Sequence, residues 1–411
     1  MPSETPPAKT SRQMASSSFP RRTVSGVVAP LLGLGFGLAS ACKPKEGGGE
    51  ASRAWNAAND PVILRGNRML ERRLSKLPQK EEVKKERSPW ADTYWPSRVG
   101  GIAARWNSPQ HYAFQTVLVG QADVQRMTLR ERAQLSPAEK YDIFMGNYSY
   151  PLTTWEKLRT SPDALDWEGL CHGVAAASLV FEEPKPVVVK NPQGIDVPFG
   201  SADIKGLLAL YVGYVAQNDV KSVGQRCPPL LPPNNNGTDI PVNVGTGFGR
   251  ESLTECEDVN AGSFHLILGN VIGLQQETVI ADITAGEEVW NHPIISYSAK
   301  ETGERPPQAT AAPGTVREKL METQVRYMVR GIPSWKRENA RIPISEETIT
   351  YRYALELNAE GEIIGGEWLQ PEYPDFLWKQ AKPEFQFYFY KLKDLVEASS
   401  KSRFDDDLTF L

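Results

Sequence analysis

The clearest pattern along the chain follows Ser201. Ile204, Leu207, Leu208, Tyr211, Val212 and Val215 recur at helical spacing and predict a core helix. A second helix is predicted where Cys171, Val174, Ala175, Ser178 and Leu179 share one face, entered from Trp167-Glu168-Gly169-Leu170. Ser136-Pro137-Ala138-Glu139 is a capping box with proline at the first helical position and opens a third, through Tyr141, Ile143 and Phe144. Between these lie an extended, Pro/Val-rich stretch over 184–197 and an aromatic segment, Pro89–Trp106, expected to pack onto the body. Downstream the period changes to two. Residues 263–272 and 277–284 are strand-like around Gly273-Leu274-Gln275-Gln276, and 348–357 and 362–369 form a hairpin across the turn at 358–361. Helices first and strands later, without βαβ alternation, predict an α+β fold.

Residues 51–86 are charged, with leucines irregularly spaced, and are expected to form a solvated helical arm. The first fifty residues differ again. Arg21-Arg22 precede the apolar run 26–41, which ends Leu38-Ala39-Ser40-Ala41-Cys42 and has the form of an export signal. A cysteine directly after small residues resembles a bacterial lipoprotein signal, making Cys42 the expected lipidation site. The predicted organisation is therefore an export signal over 1–42, a tether and charged arm over 43–87, a catalytic domain over 88–395 and a polar tail over 396–411. The expected location is outside the cytoplasm, as a cell-envelope lipoprotein held at a membrane by its lipid, or as a secreted protein.

A formal net charge of -4 over 411 residues, without a basic block, argues against nucleic acid as a partner. No apolar stretch in the body is long enough to cross a bilayer. Of the four cysteines, Cys42 is set aside as the acylation site. Cys227 and Cys256 flank a polar, proline-rich loop that a disulfide would close, stabilising it by about 3 kcal/mol. Cys171 is then the thiol left over in an oxidising compartment.

An isolated cysteine on a buried helix is ordinarily inert. Cys171, however, falls in the first turn, where unpaired N–H groups favour the thiolate, and Trp167 and Gly169 beside it are candidates to receive a substrate carbonyl. Of four histidines, His172 is adjacent in sequence and points about 100° away on a helix. His265 and Asp282 each interrupt an apolar strand-like run, and a hairpin centred on Gly273-Leu274 sets them opposite each other. Either alone is a satisfied core polar group; together with Cys171 they form a nucleophile, base and orienting set.

Cys, His and Asp in that order, on a helix and then on strands, resemble the transglutaminase and papain-like group. Val289-Trp290-Asn291-His292-Pro293 resembles the Val-Trp-Asn-Gln-Pro start of the elicitor peptide of the transglutaminase elicitor family, with histidine in place of glutamine. Trp95-Pro96, Gly100–Ala103 with Arg105-Trp106, Ser136–Tyr141, the Cys171 motif, and Gly365–Trp368 with Pro374–Trp378 resemble that family too, over roughly residues 88 to 380. The resemblance implies a protein-glutamine γ-glutamyltransferase, with Cys171, His265 and Asp282 as nucleophile, base and orienting group, and Trp290 close by as a substrate-side residue. It implies a core with the catalytic cysteine at a helix N-terminus, packed on an antiparallel sheet carrying His and Asp. Its partners are a glutamine donor, protein or peptide, and an amine acceptor. The residues after Pro293 depart from the elicitor peptide, so recognition by plants does not carry over. A cysteine amidase or peptidase acting on cell-wall or protein peptides is the competing function, since amine and water attack the same thioester. The chemistry needs no cofactor or metal. Glu255, Glu257 and Asp258 lack the spacing of a calcium loop, so calcium stays an option without a motif behind it.

Overall fold

The structure is a computed structural model that describes residues 55–107, 113–216, 220–224, 258–283, 288–333, 335 and 346–402. The chain divides into Met1–Gly48 and Gly49–Leu411, and every described residue lies in the second unit.

In chain order the elements begin with a short strand, β1 (Lys80–Glu82), and the helices α1 (Gln121–Arg126), α2 (Leu129–Ala133), α3 (Pro137–Phe144), α4 (Pro151–Arg159) and α5 (Cys171–Val180). The hairpin β2 (Val187–Lys190) and β3 (Asp196–Phe199) leads into α6 (Ser201–Leu210), which runs on as a π-helical turn through Val215. The second half comprises β4 (Val220–Val223), α7 (Ala261–Ile267), β5 (Val279–Asp282), β6 (Asn291–Arg305), β7 (Arg317–Met328), β8 (Glu346–Leu357), β9 (Ile363–Trp368), β10 (Leu377–Gln380) and α8 (Leu392–Ser400). The predicted capping box is present at α3, where Ser136 and Glu139 satisfy each other's backbone N–H groups. The expected hairpin at the carboxyl-terminal end is β8–β9, turning at Asn358–Gly361.

All pairings in the main sheet are antiparallel, in the order β4-β10-β5-β6-β7-β8-β9, with β1 beside β6. The alternation along β5 and β10 divides the core in two. Ile280 and Trp378 pack with Val174 and Ala175 of α5 and with the α3 and α6 side chains. Val279, Ala281 and Leu377 pack with Phe264 and Leu266 of α7. Helices α5 and α7 therefore lie on opposite faces of one sheet. The first turn of α6 is fixed from below by a fully buried ion pair, Lys140 Nζ to Asp203 Oδ2 at 2.6 Å. Asp203 also accepts from Trp106 Nε1 at 2.8 Å and from the Gly200 N–H at 2.6 Å.

Three expectations are corrected. Residues 263–272 form no strand; they are α7 followed by a π-helical turn over Leu268–Leu274. A short, mostly apolar run cannot be assigned by period, and the deciding local signal is the N-cap, Asn260, whose Oδ1 accepts from Gly262 N at 2.8 Å. The arm read over 43–87 is, in its described part, no helix in solvent. Leu64, Leu77 and Val83 are buried, β1 pairs with β6, and Arg73 bridges to Glu362. The tail read from 396 still carries α8 as far as Ser400, and Ser399 exchanges hydrogen bonds with the Lys185 backbone. The expected packing of α5 on the sheet is present, and α5 also packs on α6. A Cβ at Gly173 would overlap the Ala209 carbonyl, so the close helix crossing needs glycine there.

Candidate active site

Cys171 is the first residue of α5 and is 9% exposed. The turn that delivers it is pinned on both sides: Leu170 N–H donates to Tyr94 O at 2.6 Å and Ser97 N–H to Glu168 O at 2.8 Å. Gly169 belongs to this clamp, because a Cβ would strike the Tyr94 carbonyl. The thiol opens into a narrow cleft. One wall is the Trp90–Tyr94 segment; the other comes from Asn291, His292 and Pro293 of β6 and from Met328, Val329 and Arg330 at the end of β7. Its S–H lies 3.6 Å from the Val289 carbonyl.

Burial pushes the Cys171 thiol above its ordinary range, and the negative charge of Asp282 pushes in the same direction. The backbone N–H and side chain of Asn291 and the N–H of His172 oppose both by hydrogen bonding the thiolate. The helix terminus alone led to the expectation of a thiolate. Desolvation outweighs it, and the resting group is the thiol. Asn291 is oriented for its part: Trp378 Nε1 donates to its Oδ1 at 2.7 Å, which turns the amide N–H groups away from Trp378.

Asp282 is fully buried and pairs in register with Asn291 across β5 and β6. Directly opposed residues share a face, so both lie on the α5 side, as Ile280 does. Asp282 Oδ1 accepts from the Trp290 N–H at 3.0 Å. The structure thus places Asp282 on the Cys171 side of the sheet, where its charge acts on the thiol.

It does not bring His265 there. His265 is on α7, across the sheet, and its Nδ1 bonds the Tyr353 hydroxyl at 2.8 Å in the second core. The strand opposite Asp282 is β6, with no pairing to residue 265. Burial alone lowers His265 to about 4, so it is a neutral core imidazole at neutral pH. His172 faces away from the cleft, as its place on the helix predicted. It packs edge-on to Tyr214 with ring centroids 5.1 Å apart, and burial with the Arg159 charge lowers it to about 4. His292 is in the cleft wall. Its Nδ1 bonds the Met328 carbonyl at 2.7 Å, and burial holds it near 4. His111, Cys42, Cys227 and Cys256 lie outside the described residues.

The residues that sequence reasoning missed are Asn291 and Trp378. The signal for Asn291 was the Val-Trp-Asn-His-Pro motif, in which it stands beside the flagged Trp290. Trp378 ends the Pro374–Trp378 motif, but its contact with Asn291 depends on the β10–β5–β6 pairing. Trp167 and Trp290 are half-buried and outside the cleft lining, Trp290 packing against the lining residues Tyr94 and Arg330. Among the described residues no cluster of His, Cys, Asp or Glu could hold a metal.

A family model described as "Transglutaminase elicitor" matches residues 163–315 and 321–389, more than half of the chain. The chain belongs to the transglutaminase elicitor family. Among solved structures, the GP42 transglutaminase from Phytophthora sojae matches with a TM-score of 0.61 and 21% identity, over 84% of this chain and 99% of that one. At this identity the likeness shows a shared mixed helix and antiparallel-sheet fold. No curated protein matches significantly.

The opposed influences on Cys171 give a test that needs no substrate. Alkylation by iodoacetamide should rise with pH to an inflection above the ordinary thiol value. Asp282→Asn removes a negative charge and should move that inflection down; Asn291→Ala removes a donor to the thiolate and should move it up. Shifts of one sign in both variants would place the two side chains away from the sulfur.

Proposed function

We propose that this protein is an acyltransferase acting on glutamine carboxamides, a protein-glutamine γ-glutamyltransferase, with Cys171 as nucleophile. The observation that carries the proposal is the cleft itself: a buried thiol at a helix N-terminus, faced by donors from Asn291 and by the charge of Asp282, in a chain of this family. The Cys171 sulfur attacks the carboxamide carbon while its proton passes to Asp282, the carboxylate of the site. The oxyanion that forms accepts from the Asn291 amide and from the first N–H groups of α5. Collapse of the adduct breaks the C–N bond, and the departing nitrogen takes the proton and leaves as ammonia. The thioester is then opened by a primary amine, which restores the thiol and yields the substituted amide. The buried walls, Trp90 and Val174 among them, exclude water and favour the amine over hydrolysis.

In this reading His265 supports the fold and the base is Asp282, which replaces the Cys–His–Asp arrangement expected from sequence. Export through residues 1–42, acylation of Cys42 and a Cys227–Cys256 disulfide complete the proposal; they fall on residues outside those described. The deciding experiment incubates a glutamine peptide with a labelled primary amine and follows it by mass spectrometry. Replacement of ammonia by the amine is the expected result. Deamidation or backbone cleavage alone would give the chemistry to the amidase or peptidase reading.

A further inference from the structure

Arg330 follows β7 and lines the mouth of the cleft that holds Cys171. Its guanidinium lies 4.1 Å from the centre of the Trp290 ring and 5.0 Å from that of Tyr94. The two rings meet edge-on, with centroids 5.5 Å apart. Each part of this clamp is itself anchored. The Trp290 N–H donates to Asp282 and its Nε1 to Glu288 Oε2 at 2.8 Å, and the Tyr94 hydroxyl donates to the Asp166 carbonyl at 2.7 Å. The next residue, Gly331, donates its N–H to the Asp92 carbonyl at 2.9 Å, tying the arginine's backbone to the opposite wall.

Elsewhere the fold pairs its positioned arginines with carboxylates, as in Arg105–Glu139, Arg159–Glu156, Arg305–Glu318 and Arg352–Glu322. Arg330 is exposed and makes no ion pair among the described residues. Its guanidinium lies over two aromatic rings, and its N–H donors form the planar fork that fits a carboxylate. The ordering of the long side chain is already done before any ligand arrives.

We propose that Arg330 is the binding subsite for a carboxylate carried by the acyl donor near its reactive amide. This inference rests on the acyl-transfer reading and adds the class of donor. The same charge disfavours an ammonium at this wall, so the cationic acceptor enters by another side and the two substrates are told apart. The carboxylate has two sources, an acidic side chain flanking the glutamine or the free carboxyl end of a short peptide.

The test uses the full chain and two peptide pairs. One pair, capped at both ends, carries Glu or Gln beside the reactive glutamine; the other ends in a free carboxylate or an amide. The wild type should favour the carboxylate member of one pair by about ten- to a hundredfold in kcat/KM, and the pair that responds identifies the source. Arg330→Gln should bring that ratio close to one, and Arg330→Lys should keep part of it, since it retains charge without the fork. Absence of a preference in both pairs, persistence of the preference in Arg330→Gln, or an equal loss on both members would each overturn the proposal. Peptide binding to the full-length Cys171→Ala variant separates this inference from the reading beneath it. Arg330-dependent binding beside an inactive wild type sinks acyl transfer and leaves the subsite standing. Turnover without carboxylate preference does the reverse.

Discussion

Cys171→Ala should abolish incorporation of a labelled amine, by about 10⁴-fold or more, because no other described thiol exists to carry the acyl group. The same assay ranks the remaining residues by what each touches. Asp282→Asn should cost about 10²- to 10⁴-fold as loss of the proton acceptor. Asn291→Ala should cost about 10²- to 10³-fold as loss of an oxyanion donor. His265→Ala should keep its activity per folded molecule and show its effect in stability instead. The lost His265–Tyr353 hydrogen bond, with Tyr353 still held by Thr323, and the space left in the core account for a loss of about 1–3 kcal/mol. His172→Ala belongs with His265→Ala, since its ring is turned toward Tyr214 and away from the cleft. The assignment fails if His265→Ala is folded, alkylates normally at Cys171 and yet transfers no amine.

The second large effect is on folding. Lys140→Met should lower the stability of the chain by about 3–5 kcal/mol, read from the denaturant midpoint. Lys140 and Asp203 are both fully buried, and burial pushes the lysine down and the aspartate up against their mutual attraction. Removing the cation leaves a carboxylate in the core with only the Trp106 and Gly200 donors. Asp203→Asn alone should be similarly damaging, because it strands the ammonium. The double variant Lys140→Met/Asp203→Asn should recover much of the loss, since no net charge then remains buried. A double variant as unstable as the sum of the two would mean that the pair is not the source of the cost. The consequence reaches the site through α6, which this pair holds and against whose Ala209 the Cys171 helix is packed.

The His265 outcome is instructive about patterns. Residues 263–268 carry only Ser263 and His265 among apolar side chains, a pattern too short for its period to separate strand from helix. Once they were read as a strand, the Gly273-Leu274 turn generated a register in which His265 met Asp282. The Asn260 cap would have broken that construction, because an N-cap side chain specifies a helix start and a hairpin has no use for one.

Much was written locally. The capping box at Ser136, the stripe from Ile204 to Val212, the β8–β9 hairpin and the start of a helix at Cys171 each depend on neighbours within one or two turns, and the sequence carried all of them. The positions of Cys171 at a helix start and of Asp282 on an apolar strand were legible in the same way. Tertiary structure decided the rest. Which strand pairs with β5, and therefore that Asn291 rather than His265 stands opposite Asp282, follows from chain segments far apart closing into one sheet. Whether Cys171 is thiol or thiolate follows from how much solvent the Trp90–Tyr94 segment and β6 remove, and burial is a property of the assembled layers. That α5 and α7 sit on opposite faces is set by the alternation of β5 only after both helices have docked, which no single stretch of sequence can specify.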